Sequence, residues 1–223
     1  EEEEPAAAEE PVVEAQDTGS DAAAAGVDEL AAEAENKTAF VRHRIELTQS
    51  VQEKTHYGGA AVVQMILRSH GIEKTQADLA AELNTSTVTG TEYADAARVL
   101  NTYLFSCEVP GPADPGYRVE YLTPGSVGSS VMDKLRDRVV RDVRTLDPII
   151  IAINTNVLYP DLPKANHFVL ITGYRTVDDV ITEYYIVDPS PDVQNSEYAG
   201  LKVFTIEEIR RAFDTNSEPA YIW

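Results

Sequence analysis

The chain has 223 residues, and its 38 acidic against 18 basic residues give it a formal net charge of −20. Thirteen of the acids lie in residues 1–36, which contain no Lys or Arg, so residues 37–223 carry 25 acids and 18 bases, a net charge of −7. Neither part offers the basic surface that nucleic-acid binding needs, and no segment is long and apolar enough to predict a membrane span.

Residues 1–37 are rich in Glu, Ala, Pro and Asp and contain no aromatic residue. Such a segment buries too little apolar surface to offset the entropy lost on ordering. The composition therefore predicts a disordered acidic tail or linker, followed by one domain over residues 38–223.

The first part of the domain predicts one strand and then three helices, in the order 41–47, 58–70, 74–84 and 91–104. The first of these helices is apolar on almost every side, which is typical of a buried helix. Thr75 is expected to cap the second helix and Thr91 the third, because a threonine hydroxyl accepts from the free amides of a first helical turn.

The second part of the domain predicts mostly strands, with one long amphipathic helix before them and one short helix near the end. The predicted strands are 117–122, 148–155, 166–174, 181–189 and 219–223, and the predicted helices are 129–146 and 205–214. Helices come early and strands come late, a pattern that indicates an α+β fold rather than alternating βαβ units.

The only cysteine, Cys107, cannot form an internal disulfide, and its apolar surroundings favour a small buried side chain over a reactive thiol. The sequence contains no cluster of metal-ligating residues at short spacing, so it predicts neither a metal nor a cofactor.

The predicted buried helix begins with two glycines, Gly58 and Gly59. The first turn of a helix has free N–H groups and a partial positive charge, which would turn a thiol there into a reactive thiolate. Gln52 lies six residues before Gly58 and could supply a side-chain amide beside it, and Gln49 is a second candidate for the same place.

His167 begins one strongly apolar predicted strand, and Asp188 ends the next. In an antiparallel hairpin the two residues would lie at the same end of neighbouring strands, where a carboxylate can orient an imidazole. The alternative for Asp188, which precedes Pro189, is a residue of a simple turn.

These segments resemble a known family, the papain-like cysteine peptidases that process bacteriocins with double-glycine leaders. Its pattern Q-x5-C-G-P-A-x-x-Q-M-I-L is similar to Gln52–Leu67, and its H-[FY]-V-x-I-x-G-Y and V-x-D-P patterns are similar to His167–Tyr174 and Ile186–Pro189. The resemblance covers residues 41–223. It implies a papain-like α+β fold, a helical half packed on an antiparallel sheet half, with Gln52, His167 and Asp188 as the catalytic residues besides the nucleophile.

The chain departs from this pattern where the chemistry would occur. When Gln64 is aligned with the Gln of the family pattern, the nucleophilic cysteine falls on Gly58 and the proline of the pattern on Ala60. Glycine has no side chain that could attack a carbonyl. Since two family residues are replaced rather than one, the sequence favours a natural loss over an engineered inactivation.

The resulting hypothesis is a catalytically inactive domain that binds an extended peptide in a papain-like cleft. The expected binding residues are Gln52, Gly58, Gly59 and His167, with Gln52 and His167 as hydrogen-bond donors. The alternative is a thiol peptidase that cleaves peptides and whose nucleophile has been replaced at Gly58. The resemblance also favours an exported bacterial protein, because stand-alone relatives are often exported.

Overall fold

The structure is a computed structural model and describes residues 40–223; the tail predicted for residues 1–37 lies outside the described residues. The helices are α1 (Gly58–Ser69), α2 (Gln76–Glu82), α3 (Tyr93–Phe105), α4 (Ser129–Thr145), α5 (Thr155–Leu158) and α6 (Ile206–Asp214). The strands are β1 (Phe40–Arg44), β2 (Val119–Tyr121), β3 (Ile149–Asn154), β4 (Asn166–Val177), β5 (Val180–Val187), β6 (Leu201–Thr205) and β7 (Ala220–Ile222).

The seven strands form one antiparallel sheet in the order β2-β7-β3-β4-β5-β6, with β1 paired to β4. Along one edge of β4, the first half pairs with β3 and the second half with β1. Three helices precede most of the strands, and they pack on the sheet. The predicted α+β class, with a helical half on an antiparallel sheet half, is therefore confirmed.

Helix α1 is the centre of the helical half. All its residues from Gly59 to Leu67 are buried, which agrees with a helix that is apolar on every side. It ends before Gly71, whose φ of +77° is a backbone conformation that glycine adopts without strain. Helices α2 and α3 pack beside α1 and share one apolar core with the facing side of the sheet.

The opposite side of the sheet is also covered, by α4 and α6, which pack with it in a second apolar core. Strand β3 lies between these two cores and all six of its residues are buried. A strand covered on both sides needs apolar residues at every position, which explains the run Ile149–Ile153. The sequence analysis did not predict this second layer of helices.

Some local expectations were wrong. Strand β6 and helix α5 were not predicted. Thr75 caps α2 as expected, since its side chain accepts from the backbone N–H of Asp78. Thr91 does not cap α3: that helix begins one residue later, after Glu92, which makes no capping side-chain bond.

Two searches of the described residues gave no site. Within residues 40–223, no helix is both long enough and apolar enough to cross a membrane. The same residues contain no group of three or more His, Cys, Asp or Glu side chains arranged to hold a metal ion.

Candidate active site

The candidate site begins at the N-terminus of α1. The residue before this helix, Tyr57, makes no capping side-chain bond, and the first turn contains no acidic residue. The first backbone N–H groups of a helix have no partner within it, so this end carries free donors and partial positive charge. Gly58 and Gly59 line a cleft of about 300 Å³ at this end of the helix.

His167 lies across the cleft from Gly58, at the start of β4. Its Nε2 is 2.8 Å from the Oδ1 atom of Asp188. A Cβ atom built on Gly58 would lie 3.4 Å from Nδ1 of the same ring. One ring nitrogen therefore faces a carboxylate, and the other faces the position where the family has its cysteine.

Asp188 is held in place from several sides. It is 1% exposed, and the Oδ1 atom that contacts His167 also accepts the backbone N–H of Ser190 at 2.8 Å. A Cβ on Gly200 would lie 2.1 Å from the Asp188 carbonyl oxygen, so this close packing requires glycine. Burial, and next the negative charge of Asp188, raise the pKa of the Tyr159 phenol, which therefore stays neutral near the carboxylate.

Gln52 also reaches Gly58, but with the other end of its amide than predicted. Its nitrogen donates to the carbonyl oxygens of Lys54 and Thr55, at 3.2 and 3.1 Å. Its buried Oε1 lies 3.4 Å from a Cβ built on Gly58 and accepts no hydrogen bond from the described residues. The predicted donor role of Gln52 is therefore not the arrangement in the structure, which presents an acceptor to the cleft.

Gln49, the second candidate, serves a different part of the molecule. Its side chain accepts the backbone N–H of Gly200 and donates to the carbonyl oxygen of Tyr198. Gln52 is anchored beside the site because its backbone N–H donates to the Pro189 carbonyl oxygen at 2.8 Å. Of the two glutamines, Gln52 is thus the one beside Gly58.

Two further residues differ from expectation. His56, expected to be exposed, is half-buried and lines the cleft. Cys107, expected to be buried, is half-buried beyond the C-terminal end of α3. Because the 13 residues of α3 span ~20 Å, and its other end lies near His167, Cys107 is remote from the cleft.

The two halves of the molecule are linked beside His167 by a chain of hydrogen bonds. The Asn166 amide donates to the Tyr93 hydroxyl of α3 at 2.9 Å, and the Asn216 amide donates to Asn166 at 3.0 Å. The Tyr93 hydroxyl in turn donates to the Glu218 carbonyl oxygen. These contacts hold the helical and sheet halves together at the cleft floor.

One wall of the cleft is the loop 85–91, which packs directly on the backbone of Gly59. A Cβ on Gly59 would lie 2.4 Å from Oγ1 and 2.5 Å from Cβ of Thr91. The Thr91 hydroxyl is itself hydrogen-bonded to that of Thr85 at 2.8 Å. Gly59 is therefore a glycine because the wall leaves no room for a side chain.

This packing gives a matched pair of variants. We expect Gly59→Ala to lower the free energy of unfolding by about 1–3 kcal/mol, because Thr91 must move. Gly58→Ala makes contacts of 3.4 Å and should be neutral or stabilise by up to ~1 kcal/mol, since alanine favours the helix. Urea unfolding of both variants measures the difference, and equal stabilities would contradict the packing described for Thr91.

Comparison with known proteins decides the family. Residues 45–216 match the Peptidase_C39 like family. The chain belongs to this family. The match covers the segments that contain Gln52, Gly58, His167 and Asp188, and membership confirms the papain-like fold predicted from the resemblance.

Two solved structures are similar to this member of the Peptidase_C39 like family. One is a double glycine motif protease from an AMS/PCAT transporter in complex with its leader peptide, at 16% identity and a TM-score of 0.49, covering 82% of this chain and 96% of that one. The other is the peptidase domain of Streptococcus ComA, a bi-functional ABC transporter involved in quorum sensing, at 15% identity and a TM-score of 0.48, covering 80% and 96%. Both similarities are too distant to carry a functional inference. No curated protein matches the chain in sequence.

Proposed function

We propose that this Peptidase_C39 like domain binds an extended peptide in the cleft and does not cleave it. The observation that carries the proposal is the position of Gly58. A Cβ there would lie 3.4 Å from His167 Nδ1, while His167 Nε2 is bonded to Asp188. The arrangement that would activate a nucleophile is therefore retained around a residue that has no side chain.

Loss of the nucleophile is sufficient to remove thiol chemistry. When one member of a nucleophile–histidine unit is removed, the rate falls about as far as when the whole unit is removed, roughly a million-fold. Within the described residues the only other thiol is that of Cys107, which is remote from His167. The remaining groups can orient a peptide bond, and no side chain at Gly58 can attack it.

The polar groups around Gly58 suit a peptide backbone. Donors come from the free N–H groups at the start of α1, and these can bind a peptide carbonyl oxygen. Acceptors come from Gln52 Oε1 and from Nδ1 of a neutral His167, whose Nε2–H donates to Asp188. A ligand that offers both C=O and N–H satisfies both sets. The predicted donor role of His167 applies only to its protonated form.

The alternative function is a thiol peptidase whose cysteine has been replaced at Gly58. The retained His167–Asp188 hydrogen bond favours it, because peptide binding alone does not need an oriented imidazole. Ala60 favours the first proposal, since the proline of the family pattern is absent as well.

Calorimetry with peptides selected from a library tests the proposal. Gly58→Trp should weaken peptide binding at least ~10-fold, about 1.4 kcal/mol, because the indole fills the cleft between α1 and His167. Gly128→Trp is the matched control: no other atom lies within 4 Å of a Cβ on exposed Gly128, so this variant should bind like the parent chain. If neither variant changes the affinity, or no peptide binds, the cleft is not a peptide site.

A further inference from the structure

Three arginines share one face of the sheet, away from the cleft. Arg42 and Arg44 lie on β1, and Arg175 lies on β4 directly opposite Arg42. Like charges at directly opposite positions of an antiparallel pair are destabilising, so the pairing of Arg42 with Arg175 needs a reason. Stability of the sheet alone would favour an acid or an apolar residue at one of these positions.

Aromatic rings separate the three guanidinium groups. The Phe40 ring has Arg42 and Arg175 at 4.9 and 4.4 Å from its centroid. The Tyr185 ring has Arg44 and Arg175 at 5.5 and 5.6 Å. Stacking on rings fixes the planes of the guanidinium groups and leaves their N–H edges able to bind a carboxylate in a forked geometry.

Neighbouring acids balance two of the three charges. Arg44 pairs with Glu46, and Arg175 pairs with Glu183 at 2.8 Å. Arg42 forms no ion pair with any of residues 40–223. An exposed cation thus remains beside a second arginine, on a domain whose net charge is negative.

These arginines line a groove of about 710 Å³, which we name the basic groove: Arg42, Arg44, Arg175, Tyr185, Tyr198 and Lys202. It crosses the four neighbouring strands β1, β4, β5 and β6. Four strands at the usual spacing span ~14 Å, the length of about four extended residues. That length exceeds a single small anion and suits a short stretch of polypeptide.

We propose that the basic groove binds an extended, carboxylate-rich segment of a partner protein. Glu or Asp side chains of the segment would bind Arg42 and Arg175 and so relieve the repulsion between them. The groove is separate from the cleft at Gly58, and the proposal does not depend on the proposed function.

Fluorescence anisotropy with the full chain tests this inference. The probe is a fluorescein-labelled octapeptide of alternating Glu and Thr, and its control has Gln in place of Glu. In 50 mM salt the Glu peptide should bind and the Gln peptide should not. Arg42→Gln and Arg175→Gln should each weaken binding ~10-fold, as expected for charged hydrogen bonds. Arg144→Gln, an equal charge change on the exposed face of α4, should change it less than ~2-fold, because surface charges beyond a Debye length are screened.

Three arms decide between explanations. His167→Ala should leave the affinity for the Glu peptide unchanged, which separates the basic groove from the cleft. Citrate and inorganic phosphate should compete only at far higher concentration than the peptide; equal competition would assign the groove to small anions and overturn the proposal. Arg42→Lys keeps the charge and should bind between the parent and Arg42→Gln. Equal loss in Arg144→Gln, or binding of the Gln peptide, would also overturn it.

Discussion

Gly58→Cys should produce a thiol that iodoacetamide alkylates roughly tenfold faster than Cys107 near pH 7, because its pKa is lowered by its surroundings. The new side chain would stand at the positive end of α1, and its Cβ would lie 3.4 Å from His167 Nδ1. Cys107, half-buried beyond the far end of α3, is an internal reference in the same molecule. Mass spectrometry of tryptic peptides measures the two alkylation rates side by side.

The control for this result is a second substitution that removes the imidazole. Gly58→Cys combined with His167→Ala should lose most of the rate advantage, while the rate at Cys107 stays the same. An introduced thiol that reacts as slowly as Cys107 would mean that the site around Gly58 no longer activates a nucleophile.

The same variant separates the two functional hypotheses. Recovery of peptide cleavage by Gly58→Cys alone would favour a thiol peptidase whose nucleophile was replaced. A reactive thiol without cleavage, also after Ala60→Pro is added, would favour a domain that has long served as a binding module. Ala60 lies in the first turn, where a proline removes no intrahelical hydrogen bond.

Phe213→Ala should lower the free energy of unfolding by about 3–5 kcal/mol, a large part of the 5–15 kcal/mol typical of a domain. Phe213 lies on α6, is fully buried in the second apolar core, and contacts the Tyr221 ring with centroids 6.3 Å apart. Urea unfolding measures the loss. Val180→Ala, at a position 63% exposed, should change stability by less than ~0.5 kcal/mol. A loss below about 1 kcal/mol for Phe213→Ala would contradict the packing described for the second core.

The sequence predicted those elements whose pattern is strong and local. Helix α1 and strand β3 are apolar throughout because each is buried on all sides, and both lie where they were predicted. Strand β6 was missed because only its pairing with β5 makes it a strand: four of its five residues are half-buried, and Lys202 interrupts the apolar run.

The site was predictable as a set of residues and not as a set of contacts. Gln52 was found by its spacing from Gly58, but the direction of its amide depends on the carbonyl groups of Lys54 and Thr55. The place of His56 in the cleft depends on the turn before α1, and no periodic pattern reports it. The cross-strand pair behind the basic groove likewise depends on register, which the sequence does not specify.

The central claim is that the cleft binds a peptide and leaves it intact. The most direct measurement incubates the full chain with a peptide library, recovers the bound fraction and determines its masses. The account predicts that peptides are enriched on the parent chain and on Gly128→Trp, that they are absent from Gly58→Trp, and that every recovered mass is that of an uncut peptide. Cleaved products that disappear with iodoacetamide, or equal enrichment on Gly58→Trp, would contradict it.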